Sequence, residues 1–187
     1  TTMGQASWEK AETELMKNAI ELAVNKSALQ KSEIDAVFAG DLLNQCIGSA
    51  FALREMSIPF TGLYGACSTM ALSLCMAALS IETGGFNNCV AATSSHFCSA
   101  EKQFRYPLEY GGQRTPTAQW TVTGAGAAVL SSRQSEISPY IDKIHIGTIQ
   151  DYGIVDAANM GAAMAPAARK TISDFLRDTE TSPDDYD

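Results

Sequence analysis

Histidine is nearly absent from this chain, with 2 among 187 residues, and no paired histidines or paired carboxylates stand at metal-ligand spacing. That argues against a metal centre built on imidazole and carboxylate ligands. Positive charge is also short. The 13 Lys and Arg stand against 21 Asp and Glu, leave a net charge of -8, and form no cluster. Nucleic-acid binding and electrostatic attachment to anionic lipid both need basic patches, so neither is expected. The 5 cysteines are an odd number, with none in a C-x-x-C pair. This speaks against a disulfide framework or structural zinc, and for reduced thiols in an intracellular protein. There is no apolar run long enough to span a bilayer: the longest, Met70 to Ile81, is interrupted by serines and reads as a buried helix. The opening Thr1-Thr2-Met3-Gly4 lacks the basic region and apolar core of a secretory signal. Gly124-Ala125-Gly126 lacks dinucleotide-fingerprint spacing and marks close backbone packing in a strand. No cofactor is expected.

What the chain does have is 45% hydrophobic and 18% charged residues, globular composition with enough length to bury a core. Ser7 is a candidate N-cap. Behind it Leu15, Ala19 and Leu22, beside Met16, Ile20 and Ala23, predict an amphipathic helix over 8–28. Strands are predicted at 34–40, 60–64 and 89–93, with helices over 44–55 and 67–82 between them, the last stopped by Gly84-Gly85. Residues 94–119 show no sustained periodicity, and a connection of that length is usually functional. Further strands are predicted over 121–131 and 140–148, where His145 alternates with Ile144 and Ile146 and so faces solvent. A last helix over 162–176 carries Ala165, Ala168, Ile172 and Phe175 on one side. The alternation implies an α/β fold with a mixed, mostly parallel sheet and helices on both faces. The order helix, polar turn, Ser32-Glu33-Ile34-Asp35 returns at 168–187, ending Pro183-Asp184-Asp185-Tyr186-Asp187, which suggests a duplicated fold broken off at its repeat.

The sharpest local feature is Tyr64-Gly65-Ala66-Cys67-Ser68-Thr69: a strand end, a glycine turn and a cysteine opening a helix. Amide groups converging at a helix N-terminus stabilise a thiolate, so Cys67 is either an acyl-accepting nucleophile or a small apolar residue at a crowded turn. Cys46, Cys75, Cys89 and Cys98 lack that setting. His96 follows a predicted strand at its carboxyl end, where open α/β sheets place ligands. It either meets an anion or Cys67, or is a polar loop residue. Gln103-Phe104-Arg105-Tyr106-Pro107 and Tyr110-Gly111-Gly112-Gln113-Arg114 bring together aromatic faces, amides and guanidiniums. They either clamp a planar carboxylate or form a surface loop.

Gly65-Ala66-Cys67-Ser68 before a helix, with Thr123-Gly124-Ala125-Gly126-Ala127-Ala128-Val129 on a strand, resembles the thiolase and ketoacyl-synthase superfamily. Five blocks resemble the stage V sporulation protein AD family within it: residues 39–45, 91–96, 103–107, 109–113 and 160–168. The resemblance implies a thiolase-like fold of two related halves. Residues 1–150 would be the N-terminal half without its first strand, and 151–187 the truncated start of the second. It further implies a non-enzymatic sporulation protein that binds dipicolinic acid, or its calcium chelate, for uptake into the developing spore. It would act as a peripheral soluble subunit with other SpoVA subunits at the forespore or spore inner membrane, and could form a homodimer. Cys67, His96, Arg105, Tyr106, Tyr110 and Gln113 would line the ligand site. The alternative is a condensing enzyme acylated on Cys67. The catalytic His and Asn, or His and second Cys, of such enzymes come from the second half and have no counterpart here, and Thr123 stands where many ketoacyl synthases have Asp.

Overall fold

The computed structural model describes residues 2–104, 116, 120–135, 137–156 and 159–186. Helix α1 (Trp8–Lys26) starts where Ser7 predicts, the Ser7 hydroxyl accepting the Lys10 amide at 3.2 Å. Strand β1 (Ala36–Gly40) leads through a 3-10 turn into α2 (Ile47–Leu53), then β2 (Phe60–Gly62), α3 (Thr69–Glu82) and β3 (Asn88–Ser95). Helix α4 (Phe97–Phe104) and strand β4 (Gly124–Ser131) follow, then α5 (Met160–Thr179). The sheet runs β2-β1-β3-β4, parallel at β2, β1 and β3 and antiparallel at β4. The expected mixed, mostly parallel α/β architecture is therefore present.

Strand alternation explains the layers. Val37 and Ala39 of β1, with Val90 and Ala92 of β3, pack on Met16 and Ile20 of α1 and on Ala52 and Leu53 of α2. Ala36, Phe38, Cys89 and Ala91 turn the other way and pack on Ala77, Leu74 and Met70 of α3. Every residue of β1 is buried, the pattern of a parallel strand covered on both faces. At the other end of the sheet the Asp35 carboxylate accepts the amides of Asn87 and Asn88 at 2.6 and 2.9 Å. These bonds pin the start of β1 to β3 and hold its carboxyl below the usual range.

Several expectations are corrected. The span 94–119 does contain a helix. The buried residues of α4 are Ser99, Ala100 and Glu101, a polar set that hydrophobic periodicity cannot reveal. No strand forms over 140–148, because those residues meet no partner ladder among the described residues. His145 is half-buried rather than solvent-facing, its ring edge set against Phe175 with centroids 6.3 Å apart. A methyl added at Gly124 or Gly126 meets nothing within 4 Å among the described residues, so these glycines do not mark close packing. Nor is α3 buried all round. It turns Thr69, Ser73 and Ala77 to the sheet, a stripe of small residues at four-residue spacing, and leaves Leu79 exposed.

The chain divides into two compact units, one built on α1 through β4 and one on α5 with the stretch from Ile141. In the second, Asn159 caps α5 by accepting the Ala162 amide, and Asp174 pairs with Lys170 and Arg177 along the helix. Phe175 contacts Tyr186 at 5.7 Å, while Ile172 is exposed instead of sharing its face.

Candidate functional site

Three connections leave the carboxyl ends of the parallel strands, and each carries side chains that are candidates for a site. After β2 the chain turns sharply at Ala66, whose φ of 48° is left-handed and costly for a residue with a Cβ. Local bonds hold that turn. Thr69 Oγ1 donates to Ala66 O at 2.8 Å and accepts the Gly65 amide at 3.1 Å, and Ser68 Oγ donates to Gly65 O at 2.7 Å. Cys67 sits in this turn, exposed, directly ahead of α3. The other cysteines are buried or half-buried. Burial pushes the Cys46 and Cys75 thiols up, with Asp41 adding to the effect at Cys46, and raises Cys89 to about 11. Exposure sets Cys67 apart: it faces solvent, where a ligand or an electrophile can reach it.

The turn is packed against β1. A Cβ on Gly40 would lie 1.8 Å from Leu63 O and 2.8 Å from Thr69 Cγ2. Only glycine allows this approach. Gly40→Ala is therefore expected to destabilise the protein by about 1–3 kcal/mol or more and to displace the Cys67 turn. Thermal unfolding together with the reactivity of Cys67 toward a thiol reagent checks this. Wild-type values for both would show that the strand end yields without cost.

After β1 comes Asp41, 1% exposed. Its Oδ1 accepts the Leu43 amide at 2.9 Å, and its Oδ2 accepts the Ser49 amide at 2.7 Å and the Ser49 hydroxyl at 2.6 Å. Cys46, at the N-cap position of α2, makes no side-chain cap bond and is left-handed, as is Gln45 before it. Asp41 does the capping from a distance, its Oδ2 accepting the amide of Ser49 in the first turn of the helix.

After β3 comes His96. Its ring is 1% exposed, and Nδ1 accepts the Cys98 amide at 3.2 Å. That bond uses Nδ1 as an acceptor. The Thr123 hydroxyl accepts the Phe97 amide at 2.9 Å and so ties the start of α4 to the chain entering β4. Ser95 Oγ bonds Val122 O in the same place. Glu12 of α1 reaches this connection too. It is 0% exposed, with Oε1 3.3 Å from Ser94 Oγ and Oε2 2.6 Å from Ser99 Oγ. Burial pushes its carboxyl up, with Asp41 adding to the rise, against the bonds from Ser99, Ser94 and the His96 amide.

Cys67 and His96 thus share the carboxyl edge of one sheet, as the strand pattern predicts. They follow β2 and β3, which lie on either side of β1, two strand spacings or roughly 10 Å apart at the sheet. One side chain is exposed and the other is enclosed. Arg105, Tyr106, Tyr110 and Gln113 lie outside the described residues. Gln103, just before them, accepts the Asn44 amide at 3.1 Å and so brings the end of α4 to the connection after β1. Sequence reasoning missed Asp41 and Glu12. The available signals were an acid directly after an all-apolar strand, and an acid at the head of the stripe 12, 16, 20, 24.

Comparison with known proteins agrees with this architecture. Among solved structures, the chain is similar to AbyA1, a tetronic acid condensing enzyme, with a TM-score of 0.63 and 16% identity over 94% of this chain and 61% of that one. It is also similar to 3-oxoacyl-[acyl-carrier-protein] synthase III from Aquifex aeolicus VF5, with a TM-score of 0.47 and 17% identity over 66% of this chain and 39% of that one. At such identity the first likeness establishes a thiolase-like ketosynthase fold and no activity. Stage V sporulation protein AD of Bacillus subtilis (strain 168) is 45% identical over 183 residues, 98% of this chain and 54% of that protein. The chain therefore spans about half the length of that relative. The family description "Stage V sporulation protein AD (SpoVAD)" matches residues 1–187. The chain belongs to the stage V sporulation protein AD family.

Proposed function

We propose that this chain is part of a binding protein that captures dipicolinate, alone or as its calcium chelate, and supports its uptake into the developing spore alongside other SpoVA subunits. The supporting observation is the unequal placement of the two reactive side chains. Cys67 is exposed at the head of α3, where backbone amides favour any anion, whereas the His96 ring is enclosed and its Nδ1 is taken up by a backbone amide. Condensation needs a group that moves a proton at the reacting carbon, and an enclosed imidazole engaged in this way is poorly placed for it. A flat ring with two carboxylates needs only a positive helix end, a guanidinium and aromatic faces.

In this reading Arg105, Tyr106 and Tyr110 complete the site, and the guanidinium of Arg105 is the group suited to a carboxylate. In the whole protein, Arg105→Ala is expected to weaken dipicolinate binding by roughly 2–5 kcal/mol. Arg105→Lys should lose less, because it keeps the charge and gives up only the fork. Calorimetric titration of the two variants checks the order. Equal affinity in wild type and Arg105→Ala would remove the arginine from the site.

A further inference from the structure

Glu12 and Asp41 are two enclosed carboxyl groups close enough for one to push the other's titration. Among the described residues neither has a cationic partner. Burial and the neighbouring Asp41 both push the Glu12 carboxyl up, toward its protonated form. The donors around the two groups differ. Asp41 is met by two backbone amides and a hydroxyl. Backbone amides donate and cannot accept, so each of them requires an acceptor there. Glu12 is met by a single backbone amide, that of His96, and by the Ser94 and Ser99 hydroxyls, which can accept as well as donate. Ser99 Oγ lies 3.0 Å from His96 O, so its own proton has a second acceptor. An acid proton on Glu12 therefore starts a directed chain: Glu12 Oε2–H to Ser99 Oγ, then Ser99 O–H to His96 O. Glu12 Oε1 remains an acceptor for the Ser94 hydroxyl.

We infer that Glu12 is a positioning residue held as a neutral carboxylic acid, and that its proton fastens α1 to the β3–α4 connection that carries His96. Its setting can be named element by element. Asp41 stands after β1, and Ser94, His96 and Ser99 come from β3 and α4. Glu101, also on α4, is buried, while Lys102 is taken up at the surface by Glu9. The inference concerns the fold of the site and holds whether the ligand is dipicolinate or an acyl donor.

The sign of the pH dependence follows. A carboxyl that keeps its proton in the folded state but not in the unfolded state adds stability that is complete below the ordinary glutamate value. That stability is lost as pH rises through the folded-state value. Glu12→Gln copies the neutral acid, its amide N–H donating to Ser99 Oγ and its oxygen accepting from Ser94. In the whole protein, thermal midpoints of wild type and Glu12→Gln should be similar near pH 5. As pH rises to 8 the variant should become the more stable of the two, while Glu12→Ala is less stable than both throughout. Infrared difference spectra of wild type minus Glu12→Gln at pH 7 should contain the C=O stretch of an un-ionised carboxylic acid. A carboxylate band in its place, or Glu12→Gln as destabilised as Glu12→Ala at pH 8, would overturn the inference.

Discussion

Asp41→Ala should bring the protein close to unfolding. The carboxylate takes two backbone amides and one hydroxyl inside the fold. Its removal leaves the Leu43 and Ser49 amides without an acceptor where water does not reach. At about 1–3 kcal/mol for each orphaned donor, the loss is roughly 2–6 kcal/mol. Total stabilities of about 5–15 kcal/mol leave little margin for that. The change also uncaps α2, which begins with two left-handed residues and has no cap of its own. Asp41→Asn keeps one oxygen and should fall between wild type and alanine. Denaturant unfolding of the whole protein reads the series. Asp41→Ala within about 1 kcal/mol of wild type would mean that other groups hold this end of the sheet, since surface-like substitutions cost no more.

The second large effect is expected at Cys67. In the proposed reading, ligand capture requires space and a favourable field at the head of α3, not sulfur chemistry. Cys67→Ser preserves both and should leave dipicolinate affinity within a few fold. Cys67→Phe fills the mouth of the turn and should abolish binding without unfolding the protein, because the side chain is exposed. After incubation of the wild type with acyl-CoA donors, its intact mass should be unchanged. A stoichiometric thioester on Cys67, passed on to a second substrate, would replace the binding-protein reading with a condensing enzyme.

The layers of the fold were legible because the short continuous apolar runs of β1 and β3 and the amphipathic stripe of α1 are strong hydrophobic signals. The Cys67 turn was legible from glycine and cysteine at a strand end. Helix α4 was hidden because its buried side is serine, alanine and glutamate. Residues 140–148 imitate a strand through Ile141, Ile144 and Ile146, but alternation cannot supply a neighbouring strand to pair with. The acids of the site escaped notice for a related reason. Glu12 occupies a core position of α1, and hydrophobicity patterns read a carboxyl as surface wherever it falls. Its burial depends on Ser94 and Ser99, 82 and 87 residues away, a long-range match that local reading does not supply.

The most direct test of the central claim is calorimetric titration of dipicolinate into the whole protein, with and without calcium. The account predicts saturable binding that Cys67→Phe abolishes and Arg105→Ala weakens. Absence of a binding isotherm under both conditions, from a protein that unfolds cooperatively and is therefore folded, would contradict it.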